Sequence, residues 1–147
     1  MKRMLLISGL LLAILCGCKN SPRTQASDES IIKAKEVIQN TMSETNKMCP
    51  INFGGCIMES VNYDYVENEI NYNYAAEQIN DNDNISNIKE GMLISLKGEY
   101  VANPQAPIFY EAIIKARTKM IYNYYTKDGK TRKVVLLPSE IESSIHN

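Results

Sequence analysis

Few residues in this chain of 147 are equipped for chemistry, and their spacing narrows what that chemistry is. Cys49 and Cys56 enclose Pro-Ile-Asn-Phe-Gly-Gly, so six residues separate them where a redox-active pair has two. In an exported chain an even pair at this spacing points to a structural disulfide. Closing so short a loop is worth about 2.5 kcal/mol on the chain-entropy model. Zinc needs further Cys or His ligands. The only histidine is His146, one residue from the end, which argues against Ser-His-Asp or Cys-His catalysis. No Gly-rich phosphate loop, His-metal pair or dinucleotide-binding motif occurs. The sequence therefore offers no catalytic set, no metal ligands and no cofactor. Paired carboxylates need no histidine, so Glu59, Asp64, Glu67 and Glu69 keep a carboxylate-based hydrolase as the last enzymatic reading.

The remaining chemistry is that of a surface. Between Glu59 and Glu99 nine acidic residues face only Lys89 and Lys97, and between Lys115 and Lys133 seven basic residues face only Asp128. Two solvated faces are the plain reading. The sharper one is a basic patch for an anionic partner. Tyr125 alternates out of phase with Tyr122 and Tyr124, beside Lys127, Lys130, Arg132 and Lys133. Those five residues are the candidate binding patch. The other tyrosines share a phase with Val and Ile and are expected in the core, hydroxyls toward the rim.

Elements must position these groups. Ser27 or Asp28 caps a helix expected over residues 28–47, with Ile31, Ala34, Ile38 and Met42 on one face. Residues 49–56 read as a loop. Residues 61–66 and 69–76 read as a hairpin turning at Glu67-Asn68, with Tyr63 opposite Tyr72, Val61 opposite Tyr74 and Tyr65 opposite Ile70. Asn62 and Asn73, and Asp64 and Asn71, pair on the other face. Asn68 tolerates the positive φ of a tight turn. The polar run 80–84 fails the calcium-loop spacing, with Ile85 where an oxygen ligand belongs. A second helix carries Ile85, Ile88, Met92 and Leu96, with Asn87 and Glu90 at capping-box spacing and Gly98 near its end. Pro107 opens a short helix over Phe109, Ala112, Ile113 and Ala116. Residues 119–125 and 132–137 form a second hairpin around Asp128-Gly129, and Ser139 caps a final helical turn. The expected fold is α+β: four antiparallel strands from two Tyr-rich hairpins under helices, in the order α-β-β-α-β-β.

The N-terminus supplies an address. Lys2 and Arg3 precede an apolar run from Met4 to Leu15 interrupted only by Ser8, too short to span a bilayer and fit for a signal peptide. Leu15-Cys16-Gly17-Cys18 resembles a bacterial lipobox. That resemblance implies cleavage after Gly17, lipidation of Cys18 and loss of Cys16 with the leader. Two or three acyl chains anchor a protein stably. Residues 1–17 are then the signal peptide, 18–27 a lipidated tether, and 28–147 one α+β domain. Without Lys2 and Arg3, 14 basic residues remain against 17 acidic ones, a balance that gives no footprint for nucleic acid. Lys19, where Asp would favour inner-membrane retention, is compatible with an outer-membrane position facing the periplasm, with the inner membrane and cell surface left open.

These readings converge on a membrane-anchored, non-enzymatic interaction domain of the cell envelope, such as an inhibitor, immunity protein or assembly accessory factor. Its expected partner is an envelope protein. The alternative is a glycan- or cell-wall-binding lipoprotein using exposed aromatic side chains.

Overall fold

The computed structural model of the chain describes residues 22–76, 79 and 84–147. The lipobox residues Leu15, Cys16, Gly17 and Cys18 lie outside them, as do residues 80–83 of the polar run. The architecture is α+β, with four helices and one five-stranded mixed sheet. Helix α1 (Pro22–Lys47) leads into β1 (Ile51–Asn52), β2 (Cys56–Asp64) and β3 (Glu69–Ala76). Helices α2 (Ile85–Ala102) and α3 (Ala106–Ala116) follow, then β4 (Lys119–Tyr125), β5 (Thr131–Leu136) and α4 (Pro138–His146).

The sheet corrects the four-stranded antiparallel expectation in two ways. The loop 49–56 contains a short edge strand, β1, whose Ile51 and Asn52 pair with Met58 and Ile57 of β2. The two hairpins join in parallel, with β3 beside β4 in the order β1-β2-β3-β4-β5. Parallel strands need a long crossover that returns the chain to the end where it started, and the segment carrying α2 and α3 supplies one.

Helix α1 begins six residues before the expected start. Its buried face is Ala34, Ile38 and Met42, spaced one turn apart. It ends before Cys49-Pro50, where the steric demand of proline on its predecessor disfavours helix. Helix α2 is capped by Asn84, whose side chain accepts from the Ser86 N–H at 2.9 Å; Asn87 is already inside. The helix also runs past Gly98 to Ala102. Pro107 sits in the first turn of α3, and Pro138 opens α4.

The first hairpin keeps its faces but changes partners. Tyr72 lies opposite Val61, Tyr63 opposite Ile70 and Asn62 opposite Asn71. This is a shift of two residues from the expected register, and because side chains alternate with period two, the residues that remain in the strands keep their faces, whereas Tyr65, expected inward opposite Ile70, falls in the turn and is exposed. The cause is the turn, which occupies residues 65–68 rather than two residues. One carboxylate oxygen of Asp64 accepts from the N–H groups of Val66 and Glu67, both at 2.9 Å, and holds the longer loop. An irregularity between Met58 and Ser60 switches the inward phase of β2, so that Met58 is buried on the same side as Val61 and Tyr63.

Asn68 locks this turn to the crossover. Its φ of 56° is left-handed, as its residue type allows. Its Oδ1 accepts from the Tyr63 hydroxyl at 2.7 Å and from the Thr118 hydroxyl at 2.8 Å. Its Nδ2 donates to the carbonyls of Ala116 at 2.8 Å and Arg117 at 3.2 Å. Thr118 is fully buried and is satisfied by this bond. The β2–β3 turn and the α3–β4 junction thus meet at one amide, which sets where the parallel pairing of β3 and β4 begins.

The helices cover one face of the sheet. Val61, Tyr63, Ile70, Tyr72, Met120, Tyr124, Val134 and Leu136 point into the core with Ile38, Ile113 and Ile141. Parallel strands in register set like residues side by side: Tyr72 beside Tyr122 and Tyr74 beside Tyr124. The Tyr72 and Tyr122 rings stack at 4.7 Å and 8°, close to the spacing of neighbouring strands. Tyr74 and Tyr124 stack at 5.2 Å. Burial pushes the phenol of Tyr124 up to about 12 and raises those of Tyr72 and Tyr122 well above 10.

Candidate functional site

The five patch residues do not form one surface. Tyr125 and Lys133 are exposed on the outer face of the sheet, the side away from the helices. Arg132 lies opposite Tyr124 and shares the helix side. Lys127 and Lys130 sit in the β4–β5 turn, tied by the Thr126 N–H to the Lys130 carbonyl at 3.0 Å. Lys130 pairs with Asp128 at 3.3 Å. The Thr126 hydroxyl donates to the Asp128 carboxylate and holds its pKa below the ordinary value. None of Lys127, Lys130 and Arg132 is without a partner. Alternation alone predicts this split, because residues 132 and 133 of a strand face opposite ways.

The outer face has a chemistry of its own. Across four strands the register aligns Ser60, Asn73, Asn123 and Lys133, and beside them Asn62, Asn71, Ile121 and Val135. Asn73 Nδ2 donates to Ser60 Oγ at 3.0 Å, and Asn123 Nδ2 donates to Asn73 Oδ1 at 3.2 Å. The Tyr125 hydroxyl also donates to Asn73 Oδ1, at 3.3 Å. Tyr125 stands beside Ala75, whose small side chain leaves room for the ring to reach across. The amide row was legible as an Asn-rich phase. Its hydrogen-bonded continuity depends on the β3–β4 pairing, which the sequence did not reveal.

Cys49 and Cys56 are both free thiols, so the expected disulfide is absent from this structure. Cys49 closes α1, its thiol donating to the Thr45 carbonyl at 3.6 Å. The residue across from Cys56 in the β1–β2 hairpin is Phe53, whose N–H meets the Cys56 carbonyl at 2.9 Å. Burial raises the Cys56 pKa and suppresses its thiolate. Among the described residues no group of three or more His, Cys, Asp or Glu is placed to hold a metal.

Of the four candidate carboxylates, Glu59 and Glu67 are exposed, and Glu69 and Asp64 have structural partners. Glu69 pairs with Lys119 at 2.8 Å across β3 and β4, and Asp64 holds the first turn. Helices α2 and α3 clasp reciprocally: the Tyr110 hydroxyl donates to Glu99 at 2.8 Å, and the Tyr100 hydroxyl to Glu111 at 2.9 Å. His146 belongs to α4 and meets Glu111 at 3.1 Å, its ring edge-on to Tyr100.

No family model matches the chain, and no curated protein matches it. Two solved structures share its fold. The type II secretion system pilotin AspS from Vibrio cholerae is 12% identical, with a TM-score of 0.53 over 78% of this chain and 98% of its own. The type 2 secretion system pilotin EpsS from Vibrio vulnificus is 8% identical, with a TM-score of 0.53 over 78% of this chain and 96% of its own. At these identities the likeness is one of fold.

Proposed function

We propose that this protein is a lipid-anchored accessory protein of a bacterial envelope assembly, a pilotin-like factor that acts by binding another envelope protein and catalyses no reaction. The observation that carries the reading is the fold likeness to two secretion-system pilotins, each matched over nearly its whole length. The lipobox at Leu15-Cys16-Gly17-Cys18 supports it independently, since it puts such a domain on a membrane. The structural partners of Asp64 and Glu69, and a single histidine, His146, paired with Glu111, support the non-enzymatic part. The partner surface is the outward rim of the β4–β5 hairpin, where Tyr125 and Lys133 are exposed and Lys127 and Lys130 stand in the adjoining turn; Arg132, on the helix side, is not part of it. The outer membrane, facing the periplasm, is the proposed site of action.

Glycan binding is the second reading, and one observation favours it. Tyr125 sits on an open amide face with its hydroxyl on Asn73, an arrangement suited to stacking and hydrogen bonding of a sugar. Affinity capture of the tagged, lipidated chain from its own envelope separates the two. Recovery of a secretion-system protein is expected. No protein partner, together with retention on peptidoglycan, overturns the first reading in favour of the second. Cys18→Ala is expected to release the protein from the membrane fraction or leave the precursor uncut; unchanged lipid labelling would contradict the anchor.

A further inference from the structure

Above the sheet, α2 and α3 leave an open cleft of about 440 Å³. Ile88, Met92 and Leu96 of α2 give it an apolar wall, and Tyr110 and Tyr122 complete the lining. Among the described residues, Glu99 is the only charged one that lines it. The Tyr110 side chain, 5% exposed, fixes Glu99 by donating to Oε2 at 2.8 Å. The second oxygen, Oε1, has no protein partner among the described residues, and neither has the Tyr122 hydroxyl. At Gly91, on the same lining, an added Cβ would meet nothing within 4 Å, so the cleft is open on that side. The volume falls within the range of small-molecule sites.

We infer that this cleft binds a small organic cation, an ammonium or guanidinium carried on an apolar stem. The stem lies along Ile88, Met92 and Leu96. The head reaches Glu99 Oε1, which has no counter-ion among the described residues, and the Tyr122 hydroxyl accepts a hydrogen bond from it. An anion would meet Glu99 with no opposing charge among the described lining residues. The inference rests on neither the lipid anchor nor the identity of an envelope partner. The same chemistry is offered by a free amine and by an arginine side chain of a bound protein.

Two-dimensional NMR of the lipidated chain in detergent micelles tests it, with agmatine, blocked arginine amide and n-pentanol as probes. Saturable shifts at Gly91, Tyr110 and Tyr122 with a cationic probe are expected, with n-pentanol ineffective. Tighter binding of agmatine assigns the site to a free amine, and tighter binding of blocked arginine to a side chain. Glu99→Gln is expected to weaken either by roughly tenfold or more. Gly91→Leu is expected to fill the cleft and abolish binding while the melting temperature holds or rises, because glycine is a poor helix residue. No saturable shift with either cation, equal binding of n-pentanol, or Glu99→Gln affinity equal to the parent overturns the inference.

Discussion

On the helix side of the sheet, Tyr72 and Tyr122 stack 4.7 Å apart, Tyr72 within the core and Tyr122 partly buried against it. On the opposite side of the same strands, Asn73 and Asn123 bond to one another and Tyr125 remains 44% exposed. The two faces are built from alternating residues of the same short segments, so local sequence does not distinguish their roles. What separates them is the layer above. The helices remove one face from water, and dispersion and burial then act on its tyrosines. The other face keeps its solvent, and its amides exchange water for each other at small net gain. One face therefore carries stability, and the other is left free to carry recognition.

Perturbing each face separates these roles, and the expected effects span a wide range. Alkaline titration acts on the buried row first. Burial raises the folded-state pKa of Tyr124 to about 12, above the ordinary 10 of an unfolded chain. Its stabilising share is complete below pH 10 and is lost as pH climbs from 10 through about 12, because only the unfolded state then releases the proton. Tyr72 and Tyr122, raised further, extend the effect. Cooperative alkaline unfolding, with phenolate absorbance of the buried set appearing only at the transition, is expected. Ionisation of all nine tyrosines without unfolding would break the comparison.

Tyr72→Ala is expected to cost about 3–5 kcal/mol in denaturant unfolding, the range for removing a buried aromatic side chain. Asn68→Gly keeps the left-handed backbone but deletes the amide that joins the first turn to the crossover. A loss of about 2 kcal/mol is expected, with Asn68→Ala worse by about 1 kcal/mol for its disfavoured φ. On the outer face Asn73→Ala is expected to cost about 1 kcal/mol, since it removes one node of a solvent-exposed network. Tyr125→Phe is expected to change stability by less than about 0.5 kcal/mol. A cost for Tyr125→Phe that matched Tyr72→Ala would show the outer face to be structural as well.

How much of this was legible follows from which forces are local. The inward phase of Val61, Tyr63, Ile70 and Tyr72 follows from period-two alternation and survived a two-residue register error, because such an error returns every side chain to its own face. The helices were visible from the spacing of Ala34, Ile38 and Met42 and from Pro107; the last was expected to be capped by Ser139, but Leu137 holds the cap position and Pro138 the first turn. The parallel β3–β4 pairing was not visible, since it depends on where α2 and α3 return the chain. Asn68 was recognised for its φ alone; its partners Ala116, Arg117 and Thr118 are about fifty residues away. The patch around Tyr125 was drawn as a cluster in sequence, and strand alternation divides it. The pairing of Glu99 with Tyr110 joins two helices, so it too needed the packed structure.

The proposal that the outward rim of the β4–β5 hairpin meets an envelope protein is tested most directly by a photo-crosslinking amino acid placed at position 125 of the lipidated chain in its native host. A control carries it at position 39, on the exposed side of α1. The account predicts that position 125, and not 39, crosslinks to a discrete secretion-system protein of the envelope, and that the product disappears with Lys133→Glu. Equal crosslinking from both positions, or a product at 125 made only of cell-wall glycan, would contradict it.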